Sequence, residues 1–454
     1  MRSIVFRCAA TAAALLAAAT LAPAQPAEPA FLGWAKTPPM GWNSWDAFGT
    51  AITEPQTKAQ ADVMARHLLP FGWKVLTVDI QWYEPAANGH DYRPNAALTM
   101  DEYGRLLPAP NRFPSSEGGK GFSPLAEYVH AKGLQFGVHL LRGIPRLAVD
   151  RNLPVKGASV RAADVANRAS VCAWNPDMYG VDMKKPGAQE YYDSVFALFA
   201  SWGVDFVKVD DISRPYHDNE AEIEAIRRAI DRSGRPMVLS LSPGETALDA
   251  AEHVKRHANM WRISDDFWDT WPALLEQFAR LRKWSPHVGP GHWPDADMLP
   301  LGWLGTRPTR FTPEEQRTLM TLWSIARSPL IHGGDLTRTD DLTLSLLTNP
   351  EVIAVDQQSE GNRPLFERDG LVAWTASVPG SPDRYVAVFN TRERKDGAPA
   401  EGVPVRVTLA DLGLAGPCAV RDLWARQDLT PVEGEIAPIV PWHGAALFRI
   451  APPR

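Results

Sequence analysis

The clearest pattern in the chain is an apolar, β-branched run at residues 204–212 that ends in two adjacent carboxylates, Asp210 and Asp211. Runs of this kind are typical of strands buried on both faces in a parallel sheet. Because side chains alternate along a strand, Lys208 and Asp210 share one face, while Val207 points the other way. Barrel enzymes carry their chemistry at such strand ends, although a solvated end that caps the next helix is the simpler alternative.

The same sequence of apolar run, polar residues and helical pattern recurs along much of the chain. Eight strand–helix units in about 320 residues predict a (β/α)8 TIM barrel. A doubly wound sheet is the alternative, but polar residues follow nearly every strand and no glycine-rich dinucleotide fingerprint is present. The predicted strands span residues 40–45, 75–82, 134–140, 204–212, 237–242, 259–266, 292–299 and 329–335. The predicted helices span residues 54–69, 122–132, 189–202, 220–233, 271–281, 312–328 and 341–347.

From about residue 355 the pattern changes to short β-rich segments separated by Gly, Pro and Asp. These segments predict a small antiparallel β-sandwich. We therefore expect a catalytic barrel at residues 37–355 and a C-terminal sandwich at residues 356–454. The β-rich segments are residues 371–376, 384–390, 403–409 and 439–450.

The first residues have the pattern of a secretory signal peptide. Arg2 and Arg7 precede a short apolar run at residues 9–21, and small residues follow at 22–24. A bilayer needs about 20 apolar residues, so this run is too short to serve as an anchor. We expect a signal peptide at residues 1–24, a Pro- and Ala-rich leader at residues 25–36, and a secreted or periplasmic protein.

Composition narrows the possible partners. A net charge of -6 leaves no basic face for nucleic acid or acidic lipid, so neither nucleic acid nor membrane is an expected partner. The 17 Trp residues are enough for sugar-stacking surfaces, although much of this tryptophan could be core. Cys172 and Cys418 lie far apart, so no disulfide is expected. No Cys and His cluster has metal-ligand spacing and no phosphate-binding glycine loop is present, so neither metal nor cofactor is predicted.

A barrel brings its strand ends around one pocket, and these ends are rich in carboxylates and aromatic residues. Two carboxylates that act without a metal are typical of glycoside hydrolysis. One attacks the anomeric carbon or activates water, and the other protonates the leaving oxygen. The residues alone predict a secreted barrel hydrolase, with carbohydrate as a candidate substrate. The residues at the predicted strand ends are Trp45, Asp46, Asp79, His139, Lys208, Asp210, Asp211, Ser240, Ser242, Arg262, Asp265, Asp266, Asp295 and Asp297.

Five sequence blocks carry a resemblance to a known family. In order they are PPMGWNSW (38–45), DFVKVD (205–210), WRISDD (261–266), GPGHWPDADML (289–299) and SPLI (328–331). Across residues 37 to 360 the chain resembles the family 27 glycoside hydrolases, the α-galactosidase and α-N-acetylgalactosaminidase family. Each block is moderately specific, but five in the right order are strong support.

The resemblance implies a retaining double displacement on a terminal α-D-galactosyl-type residue, with Asp210 as nucleophile and Asp266 as acid/base. Lys208 would bind a sugar hydroxyl and keep Asp210 ionised. Arg262 would hold the 2-hydroxyl, or it would instead form a structural ion pair with an aspartate. Trp45 would line the sugar pocket. Asp79, Ile80, His139 and Ser240 complete the predicted substrate-binding set, and Asp211 and Asp265 are the rivals for the catalytic roles.

Departures from the family pattern bear on specificity. The family has two adjacent aspartates after the second strand, which hold the 4- and 6-hydroxyls, whereas this chain has Asp79-Ile80. β-L-Arabinopyranose is galactose without C6, and an apolar wall would suit it. His139 replaces a usual tyrosine and is either a core histidine or a substrate contact. The family's usual loop after strand five is replaced by residues 242–245, so N-acetyl preference stays open.

The motifs and their departures from the family pattern leave four candidate functions. The first is an exo-acting α-galactosidase-like hydrolase acting on oligosaccharides or polysaccharide side chains. The second is the same machinery acting on another pyranoside, above all a β-L-arabinopyranoside. The third is a non-catalytic sugar-binding barrel, which the joint presence of Lys208, Asp210 and Asp266 opposes. The fourth is a metal-dependent hydrolase with ligands at His292, Asp295 and Asp297, although these residues are more simply structural.

Overall fold

A computed structural model describes residues 29–453, and its first part is a closed parallel barrel. All eight predicted strands form and pair in parallel with their sequence neighbours, in the order expected of a (β/α)8 barrel. The first strand also pairs with the eighth, and a bridge between Leu299 and His332 closes the remaining gap. The strands are β1 Met40–Asn43, β2 Val75–Val78, β3 Gln135–Leu141, β4 Phe206–Asp210, β5 Val238–Leu241, β6 Met260–Arg262, β7 Trp293–Asp295 and β8 Leu330–His332.

The barrel interior changes from apolar to polar along its axis. Its floor is an apolar cluster, which includes Phe206 at the start of β4. Because inward-pointing residues alternate, the next two inward positions on β4 are Lys208 and Asp210. Val207 and Val209 point outward and are fully buried in the main hydrophobic core. The predicted alternation is therefore confirmed, and it carries the charged side chains to the C-terminal end of the barrel.

Helices surround the barrel as predicted. Thr312 and Glu315 form the predicted capping box at the start of one of them. A short helix between β5 and β6 was not predicted, because five residues are too few to show a helical period. The helices that surround the barrel are α1 Glu54–His67, α2 Ser123–His130, α3 Ala188–Trp202, α4 Tyr216–Ser233, α5 Ala251–Lys255, α6 Trp271–Trp284, α7 Pro313–Ala326, α8 Asp341–Leu347 and α9 Pro350–Gln358, of which α9 was also not predicted. Three further short helices lie in loops, at Trp45–Phe48, Arg146–Asp150 and Ala162–Val165.

The long segment between β3 and α3 contains a small antiparallel sheet rather than only loop. Its strands are Ile144–Pro145, Ala166–Val171 and Met178–Val181. The middle strand in sequence is mostly exposed, so it has no alternating hydrophobic pattern to reveal it. The loop that joins its last two strands carries Trp174, which lines the cavity described below.

The N-terminal end of the described chain belongs structurally to the barrel. Ala30–Ala35, predicted as leader, is a short 3-10 helix. Its Ala35 carbonyl accepts hydrogen bonds from the Trp293 indole (2.7 Å) and the Gly291 amide (3.0 Å). The segment therefore covers the floor of the barrel. The predicted signal peptide, residues 1–24, lies outside the described residues.

The C-terminal part is the predicted antiparallel sandwich. Its largest sheet has six strands: β9 Glu360–Arg368, β10 Leu371–Ser377, β11 Arg384–Asn390, β12 Cys418–Asp422, β13 Gln427–Val432 and β14 Ala445–Ala451. Their order in the sheet is β9-β10-β11-β14-β12-β13, and the sheet packs on a separate hydrophobic core. Two short ladders complete this part, Val403–Pro404 with Ile439–Val440 and Val407–Thr408 with Glu435–Ile436.

Both cysteines among the described residues are free and buried, Cys418 in this part and Cys172 in the barrel part. Between residues 29 and 453, no helix has both the length and the hydropathy to cross a membrane.

Candidate active site

A cavity of about 370 Å³ opens at the C-terminal ends of the barrel strands. This is the end at which (β/α)8 enzymes place their active sites. The lining comes from the ends of β1, β2, β4, β5 and β6 and from long loops. The lining residues are Trp45, Asp79, Ile80, Tyr92, Trp174, Lys208, Asp210, Arg214, Pro243, Asp265 and Asp266.

Asp210, at the end of β4, is held by two basic side chains. Its carboxylate Oδ2 accepts a hydrogen bond from His139 Nε2 at 2.8 Å, and Lys208 Nζ lies 3.8 Å from the same oxygen. His139 comes from the adjacent strand β3, where it is paired in register with Lys208. Only 5% of Asp210 is exposed. The register of two neighbouring strands therefore fixes the position of this carboxylate.

The charges around Asp210 keep it ionised. Burial would raise the pKa of Asp210, but the positive charges of Lys208 and then His139 outweigh burial and hold the pKa well below its usual range. Burial would likewise lower the pKa of Lys208, but Asp210 and Asp79 hold it above its usual value. A carboxylate that is buried, fixed and ionised at neutral pH has the properties that a nucleophile needs.

Asp79 and Ile80 form the wall of the cavity at the end of β2. Asp79 Oδ2 accepts hydrogen bonds from Asn43 Nδ2 (2.6 Å) and Lys208 Nζ (3.0 Å). Lys208 therefore links the Asp79 and Asp210 carboxylates. Ile80 follows directly, is 1% exposed, and presents an apolar side chain to the cavity. One side of the pocket thus combines a fixed carboxylate with an apolar surface.

Asp266, in the loop after β6, has a different environment from Asp210. Half of its side chain is exposed, and its one described ion pair joins Oδ1 to Arg262 Nη2 at 3.3 Å. Arg262 is fully buried and makes a shorter pair with Asp297 Oδ1 at 2.7 Å. Arg262 therefore positions Asp266 from below while it is itself fixed by Asp297. A carboxyl group open to solvent can exchange protons with water, as an acid/base must.

Aromatic side chains form the rim of the cavity. Trp45 stacks on Tyr92 with ring centroids 6.0 Å apart and planes 10° from parallel, and Trp174 packs against Tyr92 at 5.3 Å. Burial, followed by the negative charges of Asp210 and Asp79, raises the pKa of Tyr92, so its phenol stays protonated. A rim of flat apolar rings suits the C–H faces of a pyranose ring.

The structure brings most of the predicted site residues together. Trp45, Asp79, Ile80, Lys208, Asp210 and Asp266 all line the cavity. The other three lie behind its wall: His139 is fully buried against Asp210, Arg262 is occupied by Asp297 and Asp266, and Ser240 faces the barrel interior. The predicted direct sugar contacts of these three stay predictions. For Arg262, the structure contains the ion pair with an aspartate that was predicted as the alternative to a sugar contact.

The rival carboxylates also have clear positions. Asp211 pairs with Arg142 at 2.8 Å and faces away from the cavity. Asp265 pairs with Arg214 at 2.7 Å on the exposed rim. Sequence reasoning missed the rim residues Tyr92, Trp174 and Arg214, which long loops supply. The excess of tryptophan in the composition was the one available signal.

The groups suggested for a metal-dependent hydrolase do not converge. Within residues 29–453, the clusters whose donor atoms could hold one ion do not include His292, Asp295 or Asp297. A second set, Asp79, His139 and Asp210, does converge. There, however, the Lys208 ammonium already lies 3.0 Å from Asp79, and its positive charge opposes a metal ion.

Comparisons with known proteins give the same assignment as the geometry. The family model for alpha galactosidase A matches residues 173–358, and that for the alpha galactosidase C-terminal beta sandwich domain matches residues 368–450. Alpha-galactosidase A of Cellvibrio japonicus is 30% identical over 367 residues, which are 76% of this chain and 74% of that protein. The crystal structure of a GH27 β-L-arabinopyranosidase from Geobacillus stearothermophilus is 52% identical, with a TM-score of 0.90 over 94% of this chain and 99% of that one.

The chain belongs to glycoside hydrolase family 27. Its relatives include the alpha-galactosidase of Cyamopsis tetragonoloba, 29% identical over 92% of this chain and 87% of that protein. The family 27 member described here is therefore a glycoside hydrolase related to α-galactosidases, with carbohydrate as its substrate class. Its barrel and sandwich correspond to the two family domains in order.

Proposed function

We propose that this family 27 enzyme is a retaining exo-glycosidase whose preferred substrates are β-L-arabinopyranosides. The observation that carries the proposal is the apolar side chain of Ile80 on the cavity wall, directly beside Asp79. A second carboxylate there would accept hydrogen bonds from a hydroxymethyl group on C5. Ile80 removes that acceptor and closes the space with a hydrocarbon surface.

The chemistry of the two sugars explains why one residue can matter. β-L-Arabinopyranose has the ring hydroxyls of galactose and lacks C6 with its hydroxyl. A galactoside in this pocket would place its 6-hydroxyl against Ile80 without a hydrogen-bond partner on that wall. An unsatisfied buried hydroxyl costs about 1–3 kcal/mol, which corresponds to a preference of about 5- to 150-fold. The 52% identity to an enzyme that is itself a β-L-arabinopyranosidase supports the same choice.

The proposed mechanism assigns a separate task to each carboxylate. Asp210 attacks the anomeric carbon while Asp266 donates a proton to the departing oxygen, which leaves a covalent glycosyl–enzyme ester. Asp266, now a carboxylate, then takes a proton from water, and the water oxygen displaces Asp210 from the anomeric carbon. Lys208 keeps Asp210 anionic in the free enzyme and offers an N–H donor to a sugar hydroxyl.

An α-galactosidase is the second candidate. Asp79 and Lys208 are both in place to hold sugar hydroxyls, and the family models that match the chain are those of alpha galactosidase. Galactose would then be accepted despite Ile80, with its C6 turned toward the open side of the cavity. This was the leading expectation from the sequence, and the position of Ile80 moves it to second.

A paired assay separates the two candidates. Purified enzyme would be assayed on p-nitrophenyl β-L-arabinopyranoside and p-nitrophenyl α-D-galactopyranoside, with Asp210→Asn as the blank. We expect kcat/KM to favour the arabinopyranoside by about 10- to 100-fold. Equal or greater activity on the galactoside would restore the second candidate. Activity that survives Asp210→Asn on both substrates would contradict the mechanism itself.

Export from the cytoplasm is proposed on the N-terminal sequence alone. The basic residues and the apolar run before residue 25 are the support. Cell fractionation of the producing organism, with N-terminal sequencing of the mature protein, tests it. A protein that keeps Met1 and remains in the cytoplasm would contradict the proposal.

A further inference from the structure

A second group of potential ligands lies on the outside of the barrel, away from the sugar cavity. Glu224 comes from α4, His253 from α5, and His257 from the turn that follows α5. One donor atom from each of the three lies within 4.8 Å of the other two. His253 Nε2 is 3.4 Å from Glu224 Oε1, and the rings of His253 and His257 lie 4.3 Å apart.

Hydrogen bonds fix which nitrogen of His257 is free to bind. His257 Nδ1 lies 2.8 Å from the backbone carbonyl of His253. A carbonyl oxygen only accepts, so Nδ1 carries the proton and Nε2 of the neutral ring keeps its lone pair. A ligating histidine commonly donates its other N–H in this way, which fixes both its tautomer and the orientation of the ring.

His253 is held through both of its ring nitrogens. A carboxylate only accepts, so Nε2 carries a proton and donates it to Glu224 Oε1 at 3.4 Å, while Nδ1 accepts from the hydroxyl of Tyr216 at 2.8 Å. Tyr216 is a buried residue at the start of α4. Glu224 Oε2 pairs with Arg228 at 3.1 Å, so Oε1 is the oxygen that faces His253. Binding of an ion by His253 Nε2 would release the proton that this nitrogen carries.

We propose that Glu224, His253 and His257 form a binding site for one divalent first-row transition ion, with Zn²⁺ the best match. Two imidazole nitrogens and one carboxylate oxygen are a preferred ligand set for zinc, and water can fill the fourth tetrahedral position. The ion would tether α4, which follows the Asp210 strand, to α5, which precedes the Arg262 strand.

Sequence analysis predicted no metal site, and the reason is visible in the fold. His253 and His257 are four residues apart, one in α5 and one in the turn after it, and two ligands at that spacing are too common to be specific. The third ligand lies 29 residues before His253 on another helix. Only the packing of α4 against α5 brings the set together.

Calorimetric titration of the chelator-treated, full-length protein with ZnCl₂ tests the proposal. We expect one ion per chain, and affinity at least about 10-fold weaker in His257→Ala and Glu224→Gln. His217→Ala is the matched control, because His217 is an exposed histidine on the same helix that binds Glu220 and Asp249 instead. We expect the control to bind Zn²⁺ like the wild type.

Thermal unfolding gives an independent readout that does not depend on activity. Zn²⁺ should raise the melting temperature of the wild type and of His217→Ala, and should not raise that of His257→Ala. Asp210→Asn should retain the bound ion. Loss of binding in Asp210→Asn would place the ion in the sugar cavity and overturn the proposal. Equal affinity in wild type and His257→Ala would overturn it as well.

Discussion

The two carboxylates at the mouth of the barrel occupy contrasting environments. Asp210 is 5% exposed and is fixed by His139 and by the charge of Lys208. Asp266 has half of its side chain exposed and one long ion pair, to Arg262. The first sits on a strand whose register is set by its neighbours. The second sits in a loop beyond the end of β6.

This difference matches two different chemical tasks. A nucleophile must stay ionised and must meet one carbon atom from one direction, so fixation and positive charge help it. An acid/base must give up a proton and later recover one from water, so contact with solvent helps it. The asymmetry therefore supports the proposed roles, with Asp210 as nucleophile and Asp266 as acid/base, independently of the sequence resemblance.

Removing the fixed carboxylate should have the largest effect. Asp210→Asn keeps the shape and the hydrogen bond to His139 but removes the negative charge that attacks the anomeric carbon. We expect kcat/KM to fall by at least about 10⁴-fold on every substrate. Steady-state assays with p-nitrophenyl glycosides measure the loss of kcat/KM. Asp211→Asn is the matched control, because the Asp211 side chain pairs with Arg142 instead. A larger loss in Asp211→Asn than in Asp210→Asn would reverse the assignment.

Removing the exposed carboxylate should have a smaller and substrate-dependent effect. Asp266→Ala leaves the nucleophile intact, so p-nitrophenolate, which needs no proton to leave, should still depart. We expect a loss of about 10²- to 10⁴-fold on natural glycosides with alkoxide leaving groups and a much smaller loss on the aryl glycoside. Added azide, which attacks without a general base, should accelerate turnover of the variant. Equal losses on both substrates without azide rescue would contradict the role of Asp266.

The wall beside Asp79 is the next feature to test. Ile80→Asp restores a carboxylate that can accept from a 6-hydroxyl, while the nearby Lys208 offsets its charge. We expect the ratio of kcat/KM for galactoside over arabinopyranoside to rise by about 10- to 100-fold. Ile80→Leu keeps the wall apolar and is the control. A ratio that is the same in both variants would show that Ile80 does not set specificity.

His139 should have the smallest effect of the four, acting through Asp210. His139→Phe removes the hydrogen bond that helps to lower the pKa of Asp210, so that pKa should rise. Because Asp210 must be ionised to attack, the acid limb of the kcat/KM profile should move to higher pH, with kcat falling by about tenfold. His139→Gln, which keeps an N–H donor, should recover part of both changes. An unchanged acid limb in His139→Phe would show that His139 only fills space.

The barrel and the carboxylate pair could be predicted from the sequence for a physical reason. Successive side chains of strand β4 point alternately to the surrounding core and to the barrel interior. Lys208 and Asp210, two residues apart, therefore share a face whatever the position of the strand in the sheet. The capping box of Thr312 was equally local, since both partners lie within four residues. Features that depend on neighbours in sequence were therefore visible before the structure.

Features that depend on distant packing were not visible. Strand register places His139 and Arg262 behind the residues that line the cavity, where they contact Asp210 and Asp297. Their predicted sugar contacts stay predictions. Tyr92 and Trp174 come from long loops whose paths no local pattern specifies. The sequence offered an ion pair with an aspartate as one of two roles for Arg262, and the structure contains that ion pair.

The most direct test of the account is the anomeric form of the first sugar released, followed by ¹H NMR with p-nitrophenyl β-L-arabinopyranoside as substrate. Attack by Asp210 and then by water inverts the anomeric carbon twice. The account therefore predicts that β-L-arabinopyranose forms first and that the α anomer grows in only by mutarotation. If the α anomer forms first, displacement occurs once, and Asp210 is not the nucleophile.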